Sequence, residues 1–187
     1  ADHLASKELK FTCADINPLF IEQGKKNHPA SSFILITPDV DVNKKLFDDQ
    51  LKGRKFDFVI LLSIAQYFKN VANLEMVISM LAVYLKEGGK IIIADVIDQR
   101  SSAVADAVSL FIHCVKKGKI IEFFKFMAYL FFSDYRKLTK EIDLLKIADI
   151  YINQIADRNS MDYKKVKGLT IHASRSNYVL EKKLPKS

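Results

Sequence analysis

Two nearly unbroken apolar runs, Phe56–Leu62 (FDFVILL) and Lys90–Val96 (KIIIADV), constrain this chain more than any other feature. A strand with one wet face alternates apolar and polar residues, whereas a continuous apolar run is expected of a strand covered on both faces in a parallel sheet. Parallel strands need a long crossover between them. The intervening residues supply one: Leu74, Val77, Ile78, Leu81, Tyr84 and Leu85 recur at three- and four-residue spacing, which predicts a helix over Ala72–Lys86 closed by Gly88 and Gly89.

Upstream, the same order is written more briefly. Lys10–Asp15 (KFTCAD) alternates and stops at an acid, after which Asn17 can cap a helix with Pro18 at its first position, where a missing N–H costs little. That helix is expected to run to about Lys26 and give way to a second strand, Phe33–Thr37, ended by Pro38 and Asp39. Ala1–Lys7 has the spacing of the end of an amphipathic helix. From Ser101 to Asp157 the pattern predicts helix throughout, as Ala103–Lys117, Ile120–Phe132 and Leu138–Ala156. Two short strands, Leu169–Ala173 and Tyr178–Lys182, then follow with a join short enough to force an antiparallel pair. The whole predicts an α/β fold: a mostly parallel sheet flanked by helices, a helical insertion over residues 101–157 and a C-terminal antiparallel hairpin, in one domain spanning residues 1–187.

Composition removes several function classes. A chain of 187 residues, 49% hydrophobic and 27% charged, buries a sizeable core without disulfides or a structural metal. Cys13 and Cys114 stand alone in apolar surroundings, which fits a reduced, cytoplasmic setting and no metal site. Charges at Arg100, Asp106, Lys116, Lys119, Glu122 and Lys125 interrupt the most apolar region, so no membrane span and no signal peptide are expected. The net charge of +7 comes from scattered lysines rather than a basic stripe, which argues against a nucleic-acid partner.

Two acids fall where open α/β sheets bind ligands, beyond the carboxyl ends of strands. Asp15 could accept both hydroxyls of a ribose, in a nicotinamide or an S-adenosylmethionine site alike, or simply end its strand. Asp39, with the backbone N–H of Val40, could read an adenine edge, although Pro38–Asp39 is also ordinary turn chemistry.

The motifs ADIN, TPDV, KFDFVILLSIAQYF and LKEGGKIIIADV, in this order between Phe11 and Val96, resemble those of class I, Rossmann-like S-adenosylmethionine-dependent methyltransferases. The resemblance implies S-adenosylmethionine as cofactor. In the ADIN segment it implies Asp15 on the ribose, Ile16 against the adenine and Asn17 beside them. It places Asp39 and Val40 on the adenine amino edge, Leu62 and Ser63 on the methionine part, and Gln66 and Tyr67 toward the acceptor. The closing residues Thr170–Leu184 suit the family's antiparallel strand pair inserted in the sheet, where a nicotinamide-type domain would stay parallel. The family's glycine-rich loop has no counterpart, since none of the six glycines forms a GxG, and the resemblance puts that loop and its strand before Ala1.

In-line methyl transfer needs two aligned reactants more than a catalytic constellation. Where the acceptor must lose a proton, Asp95, Tyr67 and His113 are the candidate bases, Asp95 first because it ends a strand; His113 lies in an apolar helix and His172 in the expected hairpin. The aromatic-rich Ile120–Phe132 segment (IIEFFKFMAYLFF) reads as a lid over a small apolar acceptor, or as a helix buried between layers or in a homodimer interface; scarce basic residues argue against a membrane-surface role. The expected activity is methyl transfer to a small-molecule acceptor; the alternatives are a non-catalytic methyltransferase-like interaction domain and an RNA methyltransferase.

Overall fold

The structure, a computed structural model, describes residues 11–99, 103–132, 144–172 and 174–184. Contacts divide the chain into two compact units, Ala1–Arg54 and Lys55–Ser187. The expected helix end at Ala1–Lys7 lies outside the described residues.

The first unit is two strand–helix repeats: β1 (Thr12–Asp15), α1 (Pro18–Asn27), β2 (Ser32–Leu35) and α2 (Val40–Leu51). β1 and β2 pair in parallel, with Asp15 opposite Leu35. Asn17 caps α1 as its spacing predicts, its side chain accepting from Leu19 N at 3.0 Å, and Lys25 and Lys26 favour the negative end of the helix dipole. Buried Ile21 and Ile34 form part of this unit's core. The expected Phe33–Thr37 strand stops at Leu35, because Thr37 is tied to α2 instead: Asn43 Oδ1 accepts from Thr37 N at 2.8 Å and Asn43 Nδ2 donates to Thr37 O at 2.7 Å. The periodicity did not predict α2. Its buried residues are Asn43, Phe47 and Leu51, so a polar side chain occupies the first position of the inward stripe and masks the helical period.

The second unit contains β3 (Phe56–Leu62), a 3₁₀ turn (Ala65–Tyr67), α3 (Val71–Ala82), β4 (Leu85–Val96), α4 (Ala103–Lys116), α5 (Ile120–Phe132), α6 (Asp149–Arg158), β5 (Met161–Val166) and β6 (Ser176–Lys182). The strand order is β3-β4-β6-β5, with β3 parallel to β4 and β6 antiparallel to both its neighbours. The closing antiparallel pair therefore inserts β6 beside β4, as expected. Its other strand is Met161–Val166, not Leu169–Ala173. Met161 is buried and Tyr163 half-buried while Asp162 and Lys164 between and beside them are exposed, so the alternation exists but is hidden by charge, and Leu169 and Ile171 are exposed in an irregular loop.

Two further expectations are corrected by backbone hydrogen bonds. The helix expected over Leu138–Ala156 lies partly outside the described residues, and residues 144–148 are irregular rather than helical. Leu145 N donates to Gln66 O and Ile147 N to Ile97 O, and Ile147 is fully buried, so this backbone is used to pack the segment and α6 starts only at Asp149. Likewise α3 ends at Ala82 and β4 begins at Leu85, so that Gly88 and Gly89 sit inside the strand rather than closing a helix. The register shifts between Phe56↔Leu85 and Phe58↔Lys90. Gly88 has φ +70°, and a Cβ on Gly89 would lie 2.9 Å from Lys86 O and 3.1 Å from Phe56 O. Only glycine permits that irregularity.

The core of this unit joins Leu61, Leu74, Ile78, Ile91, Ile93, Ile152, Ile155, Tyr178 and Leu180, with α3 and α6 supplying its helical side. β3 was expected to be covered on both faces. Instead Leu61 packs inward while Phe58, Ile60 and Leu62 remain 57%, 58% and 56% exposed.

Candidate functional site

The first unit places its two acids beyond the ends of neighbouring parallel strands. Asp15 is the last residue of β1, half-buried, and its Oδ1 accepts from Asn17 N at 2.7 Å. This closes an Asx turn that leads straight into the α1 cap. Ile16, Leu19 and Phe20 stand exposed beside it. Asp39 is the N-cap of α2, its Oδ1 accepting from Asp41 N at 2.9 Å and Val42 N at 3.0 Å, with Val40 as first helical residue. The Asn43–Thr37 clamp fixes the turn that carries it. Among the described residues each carboxylate keeps its Oδ2 without a hydrogen-bond partner. Open carboxylate oxygens flanked by exposed apolar surface fit the hydroxyls and base of a nucleoside.

In the second unit the ends of β3 and β4 meet in an unusual backbone. Ser63, directly after exposed Leu62, has φ +56°, and Asp95 has φ +64°. Left-handed backbone at two non-glycine residues costs of order 1 kcal/mol or more each and clusters at functional sites. The two side chains are joined, Ser63 Oγ donating to Asp95 Oδ2 at 2.8 Å. Asn177, buried on β6, accepts from Asp95 N at 2.9 Å, and Gln66 Nε2 donates to Ser63 O at 2.8 Å. Asp95 Oδ1 and Gln66 Oε1 are both buried with no hydrogen-bond partner among the described residues. Tyr67, the next residue along the turn, is exposed. Asn177 and the inward turn of Gln66 were not legible in the sequence, since Asn177 lies 82 residues from its partner.

The remaining candidates sit on or near the helical insertion. His113 is half-buried on α4. His172 lies in the loop before β6, its Nδ1 buried without a hydrogen bond and 4.0 Å from Asp106 Oδ1. Asp106 on α4 also takes Arg175 Nε at 3.0 Å, Arg175 Nη2 at 2.5 Å and the Ser174 hydroxyl, which ties the insertion to that loop. Burial alone would push the Asp106 carboxyl up, but the hydrogen bonds from Arg175 and Ser174 and the charges of Arg175 and His172 outweigh it and hold the group below the ordinary carboxylate range. Beneath β6, burial and the hydrogen bond to Asp149 at 2.5 Å raise the Tyr178 phenol well above its ordinary range.

α4 and α5 also frame an open groove of about 450 Å³ lined by Val104, Ala107, Val108, Phe111 and Phe123. Phe111 and Phe123 meet edge to face at 5.1 Å. No described helix is long and apolar enough to cross a membrane.

No protein-family model matches the chain. A stretch of 68 residues, 35% of the chain, is 35% identical to "Probable polyketide synthase 10" of Dictyostelium discoideum and covers 3% of that protein. Among solved structures, magnesium protoporphyrin IX methyltransferase (ChlM) from Synechocystis with bound S-adenosylhomocysteine superposes with a TM-score of 0.53 at 16% identity, over 96% of this chain and 66% of that one. The CurJ carbon methyltransferase superposes with a TM-score of 0.56 at 13% identity, over 98% of this chain and 44% of that one. The chain thus spans less than two thirds of the length of these proteins. It has the α/β fold of the Rossmann-like, class I S-adenosylmethionine-dependent methyltransferases.

Proposed function

We propose that the chain is an S-adenosylmethionine-dependent methyltransferase acting on a small, apolar acceptor. The observation that carries this reading is the placement of Asp15, Asp39 and the strained Ser63–Asp95 pair, each at or just beyond the carboxyl end of a parallel strand in a fold shared with methyltransferases. Within the first unit the open oxygens of Asp15 and Asp39 fit a partner rich in hydrogen-bond donors, and within the second the orphaned oxygens of Asp95 and Gln66 do so separately.

In this reading Asp15 accepts from the ribose hydroxyls, with Ile16 against the base and Asn17 fixing the turn; Asp39 and the Val40 N–H take the adenine edge; Leu62 and Ser63 hold the methionine portion. When bound, S-adenosylmethionine supplies a methyl already activated on a sulfonium. The protein's own contribution is then to hold the acceptor in line and exclude water. The apolar groove on α4 and α5 fits such an acceptor. The polyketide synthase relative and the CurJ carbon methyltransferase favour a polyketide carbon as the methylated atom. A carbon acceptor must lose a proton, a task for Asp95 or Tyr67 at the strand ends before His113 on α4.

The test is transfer of an isotopically labelled methyl from S-adenosylmethionine by the full-length protein to thioester-linked β-ketoacyl chains, with structured RNA as a parallel acceptor. Labelled ketoacyl product is expected. Label in RNA alone would overturn the small-molecule reading, and label in neither, alongside intact cofactor binding, would favour a non-catalytic interaction domain.

A further inference from the structure

Most of the apolar surface of α5 is uncovered. Ile121 and Phe124 are 69% and 61% exposed, and among the described side chains of the helix only Phe123, packed on Phe111, is half-buried. On α4, Ile112 and Val115 are exposed about one turn apart. The turn between the helices makes one end of this surface basic. Gly118, at φ +68°, reverses the chain: Gly118 N donates to Val115 O at 3.0 Å and Lys119 N to Cys114 O at 2.8 Å, and Lys119 O already accepts from Phe123 N at 3.2 Å as α5 begins. Lys116, Lys117 and Lys119 therefore gather at the apex of the hairpin, all exposed, and among the described residues neither they nor Lys125 have a carboxylate partner. The end of α4 favours Lys116 and Lys117, but Lys119 stands at the start of α5, where the helix dipole disfavours a cation. At the base of the hairpin, Arg175 and Ser174 hold Asp106, about 15 Å of helix rise before Lys116, so the apex stands away from that anchor.

An apolar surface with a cationic end accepts few occupants. Protein interfaces are depleted of lysine, and a second copy would add three more lysines where anions are missing. A membrane with anionic headgroups supplies the missing charge and, directly beneath it, an apolar layer. Ile112 and Phe124 each lie within about 8 Å of helix rise from the apex, matching the ~5–10 Å to which interfacial helices bury their apolar faces. The Ile120–Phe132 segment by itself is short of basic residues; the fold supplies them from the turn before it.

We propose that the apex of the α4–α5 hairpin docks on an anionic membrane surface, with Lys116, Lys117 and Lys119 against the headgroups and Ile121 and Phe124 among the first carbons of the acyl chains. The attachment is peripheral, since no described helix is long and apolar enough to cross a bilayer. It requires neither cofactor nor methyl transfer, so it stands or falls separately from the proposed function.

The experiment is co-sedimentation of the full-length protein with vesicles of phosphatidylcholine alone and of equimolar phosphatidylcholine and phosphatidylserine. Binding to the phosphatidylserine vesicles is expected to be about tenfold or more tighter than to phosphatidylcholine, and to weaken as salt is raised. Combined Lys116→Glu, Lys117→Glu and Lys119→Glu is expected to abolish that preference, and combined Ile121→Ser and Phe124→Ser to weaken binding to both vesicles by about tenfold or more. All five side chains are exposed, so melting temperatures should stay at the wild-type value; if a combined variant melts lower, Lys119→Glu and Phe124→Ser alone give the same two readings in smaller measure. No binding to phosphatidylserine vesicles, or binding indifferent to the charge reversal, would overturn the proposal. A dimer in sedimentation equilibrium that Phe124→Ser dissociates, in a protein that ignores vesicles, would assign the surface to a second copy and overturn it too. Vesicle binding by a protein that binds no S-adenosylmethionine would keep the membrane surface and remove only the methyltransferase reading.

Discussion

Gly89→Ala is expected to lose about 3 kcal/mol of stability, the upper end of what overpacking a well-filled site costs. The added Cβ would meet Lys86 O at 2.9 Å, Phe56 O at 3.1 Å and Lys86 N at 3.2 Å, all of them backbone atoms in two hydrogen-bonded strands. None can rotate away as a side chain could. Gly53→Ala is the comparison: unlike Gly89 it has left-handed backbone, φ +74°, and nothing lies within 4 Å of its Cβ, so only the conformational cost of about 1 kcal/mol applies. Urea denaturation of both variants separates the two effects. Equal losses would mean that the crowding of Gly89 by the backbone of Lys86 and Phe56 is not what requires glycine.

Asp15→Ala is expected to weaken S-adenosylhomocysteine roughly 10- to 100-fold, the loss of one or two charge-assisted hydrogen bonds to ribose hydroxyls. Asp15→Asn keeps the Oδ1 acceptor that closes the turn on Asn17 N but replaces the open, charged Oδ2 with an NH2 donor, so its melting temperature should match the wild type while its affinity falls. Competition binding against a fluorescent adenosine analogue reads both variants. Unchanged affinity in both would reduce Asp15 to the end of a strand.

Much of the strand and helix order was legible because it is written locally. Phe56–Leu62 and Ile120–Phe132 appear at the bounds that their apolar runs predict, and Asn17–Pro18 starts α1 by cap chemistry that needs no tertiary partner. The failures share the opposite property. α2 carries Asn43 on its inward face because a loop backbone six residues away requires that side chain, and β5 is masked by the charges on its outward face. The segment at residues 144–148 is not helical because its Leu145 and Ile147 N–H groups are claimed by Gln66 and Ile97, far away in sequence. For the site, strand ends announce Asp15 and Asp39 by position. The Ser63–Asp95 contact is a matter of backbone strain and of two strands brought side by side, and no spacing rule reveals it.

The most direct measurement is isothermal titration of the full-length protein with S-adenosylmethionine. Saturable binding at one site per chain, at micromolar cofactor and weakened by Asp15→Ala, is the expected result. The absence of saturable heat up to ~1 mM cofactor, a free energy weaker than about −4 kcal/mol, would contradict it and leave a methyltransferase fold without the methyltransferase's cofactor.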